Sequence, residues 1–278
     1  MLAYMEQGGF SYGMQIYQPD GSLYEDWIVP YQGEDVSMRL DLLCAQVTDF
    51  YSVLLVTLNG YPVDCTVDGV DTKDGAIQLN NLDEQHNSLS VQLHIDSNLL
   101  LAGKNQLNFS VLHNFDSPSQ EHMMFNGVAL QCWLDNRTDV VGSLPPVDQS
   151  ECVEMDELLE EDEASSVFVN FDPACETFFK GNPEKAQVEK QNPLRVNVTA
   201  VGKEKAYSLF IIQDGEVAAF PDGSKMKRFQ LDEKHAYFTQ LDLELEQDEG
   251  YFQLIMIPDY NEAVPDKTMI ESYHIHYY

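Results

Sequence analysis

The sequence is short of basic residues. It has 15 Lys and Arg against 47 Asp and Glu, which gives a net charge of −32 over 278 residues. So acidic a surface repels the phosphates of nucleic acids and the headgroups of anionic membranes. It suits solubility, cation binding or basic partners. Composition therefore argues against nucleic-acid binding and leaves an unidentified protein as the expected partner.

Long hydrophobic runs are also missing. No stretch approaches the roughly 20 apolar residues of a membrane-spanning helix. The first ten residues, MLAYMEQGGF, lack the basic segment and the long apolar stretch of a signal peptide. Two expectations about location follow. The chain is extracellular or on the cell surface if a signal or anchor has been trimmed from it, and cytoplasmic otherwise.

The cysteines do not form the pattern of a disulfide-rich scaffold. There are five, an odd number, with irregular spacing and no Cys-x-x-Cys or zinc-ligand pair. One disulfide is compatible with the sequence, but a framework of several is not. The five are Cys44, Cys65, Cys132, Cys152 and Cys175.

Catalytic signatures are absent too. The chain has no Gly-x-Ser-x-Gly, no His-Glu-x-x-His, no Gly-rich phosphate loop and no Cys–His signature. A carboxylate pair of the glycosidase type is set in space rather than in sequence, so the many acidic residues leave that option open. The sequence predicts a protein that is not an enzyme and has no cofactor, apart from the metal ions considered below, calcium first among them.

The clearest pattern that the sequence does contain is that of a β-hairpin, and it occurs twice. Tyr51–Cys65 reads YSVLLVTLNGYPVDC, an apolar run followed by Asn59-Gly60 and a second short run. Tyr207–Phe220 reads YSLFIIQDGEVAAF, with Asp214-Gly215 in the same place. Asn-Gly and Asp-Gly favour a type I′ turn, because both central residues of that turn need a positive φ.

Short alternating strands flank each hairpin. In Ser88–Ile95 and Gln106–Leu112 every second residue is apolar, which is the pattern of a strand with one buried face. Such strands recur at roughly ten-residue spacing, and helical periodicity is nearly absent. The sequence therefore predicts an all-β protein made of antiparallel β-sandwiches.

The second half of the chain repeats the pattern of the first. Leu194–Ile212 aligns with Met38–Val56 without a gap, and Glu246–Tyr278 aligns with Leu101–Trp133. Identity is very low, so the inference rests on the apolar pattern and the positions of the turns. We expect two tandem domains related by internal duplication.

Residues 135–166 differ in composition from both repeats. They contain prolines at positions 145 and 146 and an acidic run, Asp156–Glu163. Like charges repel one another, and a segment with so few apolar residues cannot bury a core. The sequence predicts an acidic linker over 135–166, between a first β-sandwich over 1–134 and a second over 167–278.

On these strands and hairpins, both repeats resemble the immunoglobulin-like or fibronectin-III-like β-sandwich. The resemblance is one of architecture and covers most of the chain. Sandwiches of this kind commonly serve as surface, adhesion or spacer modules, although a fold alone does not assign function. Two features depart from the antibody pattern: there is no Cys–Trp–Cys core, and neither strand C contains tryptophan.

The central hairpin strands are apolar on both faces, whereas a lone sandwich buries only one. Either a loop or the sister domain covers the second face, or that face is a partner interface. The residues assigned to this candidate interface are Tyr51, Val53, Leu55, Tyr207, Leu209 and Ile211.

Two groups of residues are candidate metal ligands. Asp68, Asp71 and Asp74 lie in one loop and could supply the oxygen ligands that Ca²⁺ prefers, although their spacing is not that of an EF-hand. His274 and His276 share one face of the last predicted strand and suit Zn²⁺ or Cu²⁺, but no third ligand is identifiable.

Three functions fit these observations. The first is a non-catalytic binding or spacer module of the cell exterior that contacts a protein partner. The second is a cytosolic or secretion-associated accessory protein with a protein client. The third is a carbohydrate- or metal-binding protein with a concave site, for which Trp27 and Trp133 are the first residues to consider. The partner and the oligomeric state cannot be read from the sequence.

Overall fold

The computed structural model describes residues 11–45, 50–79, 87–115, 127–155, 165–171, 187–260, 267–272 and 275–278. Their regular structure is β-strand, apart from single 3₁₀ turns at Glu25–Trp27 and Ser97–Leu99. The chain divides into two compact units, Met1–Pro145 and Pro146–Tyr278. The predicted all-β class is confirmed.

The strands of the first unit are short and follow one another closely. They are β1 Ser11–Tyr17, β2 Ile28–Tyr31, β3 Val36–Ala45, β4 Phe50–Leu58, β5 Tyr61–Pro62, β6 Cys65–Val67, β7 Val70–Asp71, β8 Ala76–Leu79, β9 Ser88–Leu93, β10 Gly103–Phe115 and β11 Gly127–Asn136.

These strands form two sheets. A five-stranded sheet has the order β1-β3-β9-β6-β7, and a six-stranded sheet has the order β2-β11-β10-β4-β5 with β8 also paired to β4. If β1, β3, β4, β6, β9, β10 and β11 are taken as strands A to G, this is the A-B-E-D and C-F-G order of the immunoglobulin sandwich. One detail corrects the prediction: β2 runs parallel to β11, so the second sheet is not wholly antiparallel.

The alternation of each strand decides which side chains enter the core between the sheets. In β4, Leu54, Val56 and Leu58 join a buried cluster that includes Leu40 of the other sheet. Phe109 of β10 lies directly opposite Val56 and belongs to the same cluster. Each fully buried side chain of this size contributes roughly 1.5–3 kcal/mol.

The strands of the second unit repeat this plan with a few additions. They are β12 Cys152–Glu154, β13 Ser166–Asn170, β14 Gln187–Val188, β15 Leu194–Val201, β16 Lys205–Gln213, β17 Glu216–Ala218, β18 Lys227–Leu231, β19 His235–Leu243, β20 Gly250–Pro258, β21 Ile270–Glu271 and β22 Ile275–Tyr277.

The second unit also has two sheets. One has the order β12-β19-β15-β13, and the other β14-β22-β20-β16-β17, with β18 on β16 and β21 on β20. An aromatic stack joins the two sheets. Phe229 of β18 lies 4.1 Å from Tyr237 of β19, centroid to centroid, and 6.4 Å from Tyr207 of β16. All three rings are buried, so this stack marks the core of the unit.

The two units share a topology, as internal duplication requires. Strands β13, β15 and β19 take places A, B and E, and β16, β20 and β22 take places C, F and G. The edge strand β14 runs parallel to β22, just as β2 runs parallel to β11. One strand differs in origin: β6 pairs with β9 in the first unit, whereas β12, from ahead of strand A, pairs with β19 in the second.

Both predicted hairpins form with the predicted turns. Asn59 and Gly60 have φ of +51° and +81°, and Asp214 and Gly215 have φ of +50° and +90°. Leu58 then pairs with Tyr61, and Gln213 with Glu216. Positive φ at both central residues is the requirement of a type I′ turn.

The gap-free alignment of the two hairpins is wrong by one residue. Strands β3 and β4 are separated by residues 46–49, but β15 and β16 only by residues 202–204. With the turns superposed, Leu209 corresponds to Leu54 rather than to Val53. Because side chains alternate along a strand, this one-residue slip exchanges the buried face and the opposite face.

Gly75 tests the packing beside the first hairpin. Its φ is +74°, and an added Cβ would lie 2.9 Å from both Pro62 Cβ and Val56 O. Gly75→Ala is expected to lower the free energy of unfolding by about 2 kcal/mol or more, since the left-handed backbone alone costs roughly 1–2 kcal/mol. Gly69→Ala is the matched control, because Gly69 has φ of +85° with nothing within 4 Å. Thermal unfolding should show the larger loss for Gly75; equal losses would contradict the predicted contact.

The structure differs from the prediction for residues 135–166 at both of their ends. On the first unit, Arg137 N donates to Tyr31 O at 3.0 Å, and Tyr61 Oη donates to Pro145 O at 3.1 Å. On the second, Asp148 N donates to Arg228 O at 2.8 Å, and β12 pairs with β19. Hydrogen bonds thus tie these ends to their units. The acidic run Asp156–Glu163 lies outside the described residues.

Candidate interaction surface

The hairpin residues assigned to an interface are not accessible. Val53 and Leu55 lie on the face of β4 that points away from the core cluster, yet both are fully buried. Leu209 and Ile211 are also fully buried, and they share the face of β16 that carries Tyr207 into the aromatic stack. The side chain of Tyr51 lies outside the described residues. These strands are therefore interior elements, and a partner surface has to be sought elsewhere.

The three aspartates proposed as calcium ligands differ in their local surroundings. Asp68 Oδ1 accepts from Ser90 N at 2.8 Å, and Asp71 Oδ1 accepts from Thr66 Oγ1 at 2.8 Å. Asp74 has φ of +53°, directly before Gly75. Within the described part of the chain, no three His, Cys, Asp or Glu side chains gather as metal ligands. The three carboxylates are thus close in sequence but do not form a ligand set here.

A chain of polar side chains crosses the first sheet, and sequence reasoning missed it. Thr66 Oγ1 lies 3.0 Å from His94 Nε2, and His94 Nδ1 lies 2.9 Å from Asp35 Oδ2. The order hydroxyl, imidazole, carboxylate is that of a hydrolase triad. However, Thr66 Oγ1 donates to Asp71 Oδ1, so its proton is directed away from the imidazole. The arrangement ties loop residues to the sheet and lacks an activated nucleophile.

The last strand carries a second polar and aromatic group. His276 Nε2 lies 2.9 Å from Glu249 Oε1. Its ring stacks on Tyr251 at 4.8 Å and lies 5.8 Å from Tyr278. His274, the other predicted metal ligand, lies outside the described residues. The contacts of His276 are those of a histidine packed at a strand end.

A surface cleft of about 520 Å³ lies in the first unit beside β2. Val29 and Tyr31 of β2 point into the core cluster, so Ile28 and Pro30 point outward and line the cleft. The rest of its wall comes from the segment before β2 and from the end of β11. These residues are Gln18, Ser22, Leu23, Tyr24, Glu25, Asp26 and Arg137.

The backbone at the rim of this cleft is strained. Asp26 has φ of +51° and Trp27 has φ of +59°, two consecutive non-glycine residues in the left-handed region. That conformation costs roughly 1–2 kcal/mol per residue. It is held by the pairing of Ile28 with Trp133 and by the bond from Ile28 N to Glu25 O. Two large apolar side chains of this segment are exposed: Leu23, which lines the cleft, at 52%, and Trp27, between the lining residues Asp26 and Ile28, at 40%.

The polar groups of the cleft carry both signs of charge. Glu25 and Asp26 are acidic, and Arg137 supplies the guanidinium group. Arg137 Nε donates to Asp135 Oδ2 at 2.9 Å, while 53% of its side chain stays exposed. The site therefore combines apolar contact area with donors and acceptors, which are the requirements for binding a polar ligand or a peptide.

Trp133, the other tryptophan, borders the same region of the sheet. It pairs with Ile28 across the β2–β11 edge, and Lys104 Nζ lies 5.8 Å from the centre of its ring. Trp133 is only partly exposed. The two tryptophans named from the sequence are therefore brought to one edge of the first unit.

Three cysteines are free thiols in the described part of the chain. Cys65 and Cys132 are buried and Cys152 is partly exposed. Burial raises the pKa of Cys65 to about 11, and burial with nearby carboxylates raises the pKa of Cys152 to about 11. Burial also raises the pKa of Cys132, so all three thiols are poor nucleophiles at neutral pH.

Thiol labelling tests this description. Of these three cysteines, Cys152 is expected to react first, because Cys65 and Cys132 are buried and a labelling reagent cannot reach them in the folded protein. Its rate should rise about tenfold per pH unit between pH 7 and 9, since the thiolate is the reacting form. Mass spectrometry of labelled peptides measures the order. Labelling of Cys132 as fast as Cys152 in the folded protein would contradict the burial of Cys132 in the core.

Searches of known proteins assign no family. No protein-family model matches the chain, and no curated protein matches it. Among solved structures, the fimbrial subunit AggA from Escherichia coli has a TM-score of 0.28 at 10% identity, covering 48% of this chain and 97% of that one. The D0-D1 domain of intimin has a TM-score of 0.25 at 8% identity, covering 97% and 99%. The pilus backbone RrgB from Streptococcus pneumoniae has 0.26 at 10%, covering 95% and 56%.

These values are too low to support a statement about function. The fold rests on the sheets described above. No helix in the ranges that the structure describes is long and apolar enough to cross a membrane.

Proposed function

We propose that the chain is a non-enzymatic binding module of the cell exterior that holds a segment of a partner protein in the cleft beside β2. One observation carries the proposal. The backbone at Asp26 and Trp27 is held in the left-handed region next to a cleft, and two large apolar side chains of the same segment, Leu23 and Trp27, are exposed to solvent. Strained backbone of this kind clusters at functional sites, where the surrounding structure pays for it.

The chemistry of the cleft supports a peptide-like ligand. Leu23 and Trp27 offer apolar area, and aromatic residues are frequent anchors of protein interfaces. Gln18 and Arg137 offer donors, and Glu25 offers an acceptor. The net charge of −32 favours a partner with basic residues and would speed its approach at low salt.

A carbohydrate is the second candidate ligand. It is favoured by the exposed ring of Trp27 beside neutral and acidic polar side chains. The two candidates differ in their response to salt. Binding of a basic peptide should weaken as ionic strength rises, whereas binding of a neutral sugar should not.

Selection against two libraries tests the proposal. The full chain is immobilised and exposed to a displayed random-peptide library and to a glycan array. Peptide binders should be recovered, and Leu23→Ser together with Trp27→Ala should weaken them about tenfold or more, as for loss of an interface anchor. Leu23 and Trp27 are 52% and 40% exposed and neither belongs to the core cluster, so the variant should keep its fold.

The control variant is Val70→Ser. Val70 is 58% exposed and lies on β7 of the same unit, in the other sheet. Peptides that bind the Val70→Ser control as tightly as the unmodified chain, but bind the Leu23→Ser/Trp27→Ala variant more weakly, support the proposal. Binders on the glycan array alone would favour the carbohydrate alternative. Peptides that bind both variants equally would place the binding surface outside the cleft and overturn the proposal.

A further inference from the structure

The hairpin sheet of the first unit is the one that contains β4 and β10. A cluster of polar side chains lies on the face of this sheet that points away from the core. Thr57 of β4 pairs directly with Asn108 of β10, and Ser110 follows two residues along the same strand. Their neighbours in the core-facing row, such as Val56 and Phe109, point the other way. All three polar side chains are at 0% exposure. The cluster is thus polar, contiguous and wholly removed from bulk solvent.

The polar atoms of these side chains are not paired with the part of the chain that the structure describes. Among those residues, Thr57 Oγ1, Ser110 Oγ and both polar atoms of the Asn108 amide have no hydrogen-bond partner. Buried polar groups are nearly always paired, with protein or with ordered water, because an unpaired one costs its full desolvation penalty. Four unpaired atoms on adjacent residues therefore need a common explanation.

The second unit supplies an internal comparison. With the hairpin turns superposed, Ile212 takes the place of Thr57, Gln253 that of Asn108 and Ile255 that of Ser110. Two of the three places are therefore apolar. At the third place the amide nitrogen is paired, since Gln253 Nε2 donates to Ser272 O at 2.9 Å. At these three places the second unit therefore has no hydroxyl, whereas the first unit has two hydroxyls and an amide.

We infer that Thr57, Asn108 and Ser110 form a buried site for ordered water molecules. The two hydroxyls both donate and accept, and the amide donates through Nδ2 and accepts through Oδ1. The ligand must therefore be neutral and must itself donate and accept. Water meets this description, and a buried water typically makes about three hydrogen bonds. A water shared by the cross-strand pair Thr57 and Asn108 satisfies both strands at once.

Isosteric substitution gives a test with opposite signs. Thr57→Val and Ser110→Ala each remove a hydroxyl and hardly change the volume. If water bridges the cluster, each should lower Tm by about 2–4 °C, because a hydrogen-bonded group is lost. The double variant should lose less than the sum if the two hydroxyls share water molecules. If the cluster is dry, each variant removes an unpaired polar group and Tm should rise.

A high-resolution crystal structure of the full chain is the second measurement. Ordered water within hydrogen-bonding distance of Thr57 Oγ1 and the Asn108 amide is the expected result. Unchanged or raised Tm in both single variants overturns the inference. So does a well-ordered crystal structure in which these atoms contact only protein.

Discussion

Arg228→Met is expected to lower the free energy of unfolding by about 3 kcal/mol, near the lower end of the range for breaking a buried ion pair. Arg228 lies on β18, which pairs with β16 in the second unit, and its side chain is almost fully buried. Its Nη2 lies 2.6 Å from Asp259 Oδ2, and its Nη1 donates to Ser208 Oγ at 2.9 Å. The Met side chain fills the space but removes the hydrogen-bonded cation of the Asp259 carboxylate, which leaves Lys205 as the other positive charge that acts on it. The estimate stays at the lower end because a third of Asp259 remains exposed.

The loss should depend on pH in a defined direction. Burial already raises the pKa of Asp259 above its ordinary value, although Arg228 acts to lower it. Without Arg228 the pKa of Asp259 in the folded state rises further. A carboxyl group whose pKa is raised by folding lowers stability as pH rises from its unfolded pKa through its folded pKa. The deficit of the variant should therefore be full at neutral pH and smaller near pH 4.

Arg195→Met is the matched control. Arg195 makes a bidentate contact with Asp242: its Nε donates to Oδ1 at 2.9 Å and its Nη2 donates to Oδ2 at 3.0 Å. The two side chains are 58% and 42% exposed. Exposed pairs contribute little to stability. Urea titrations at pH 4 and pH 7 compare the two variants. Equal losses for Arg195 and Arg228, or a loss at Arg228 that does not change with pH, would contradict the role given to burial.

Phe229→Ala is expected to lower the free energy of unfolding by about 3–5 kcal/mol. Phe229 is 1% exposed and lies between Tyr207 and Tyr237, so its removal opens a cavity at the centre of the stack that joins the two sheets. The loss should fall on the second unit. Calorimetry of the full chain measures the loss, and hydrogen exchange of peptides from each unit locates it.

Tryptophan fluorescence separates the two units, because Trp27 and Trp133 both lie in the first. Phe229→Ala should therefore shift the calorimetric transition more than the fluorescence transition. Phe109→Ala, in the core of the first unit, should do the reverse. If both variants shift the fluorescence transition equally, the two units do not unfold as separate bodies.

The hairpins could be predicted from the sequence because their signal is local. Asn59-Gly60 and Asp214-Gly215 need positive φ, and few other residue pairs tolerate it. Apolar alternation likewise located most strands and the core residues of β9 and β10. The sequence alignment assigned the wrong face of β16 to the core, because the connection between β15 and β16 is one residue shorter than that between β3 and β4. A shift of one residue along a strand exchanges its two faces.

The cleft could not be predicted because its parts are distant in sequence and ordinary in composition. Arg137 reaches the segment before β2 only because β2 pairs with the end of β11. The left-handed backbone at Asp26 and Trp27 involves no glycine, the residue that usually indicates such a conformation in a sequence. Trp27 was the one residue with a usable signal, since tryptophan is rare in this chain. The buried face of the hairpin sheet was missed for a similar reason, since burial by other parts of a chain leaves no local pattern.

The most direct test of the proposed function follows Trp27 itself. Trp133→Phe leaves Trp27 as the only tryptophan, and Trp27 is 40% exposed between Asp26 and Ile28, which line the cleft. A peptide selected on the full chain is titrated into this variant, while calorimetry measures binding independently. If the cleft is the binding site, the emission of Trp27 should shift to shorter wavelength and saturate at the calorimetric Kd. Calorimetric binding with no change in Trp27 emission would contradict the account.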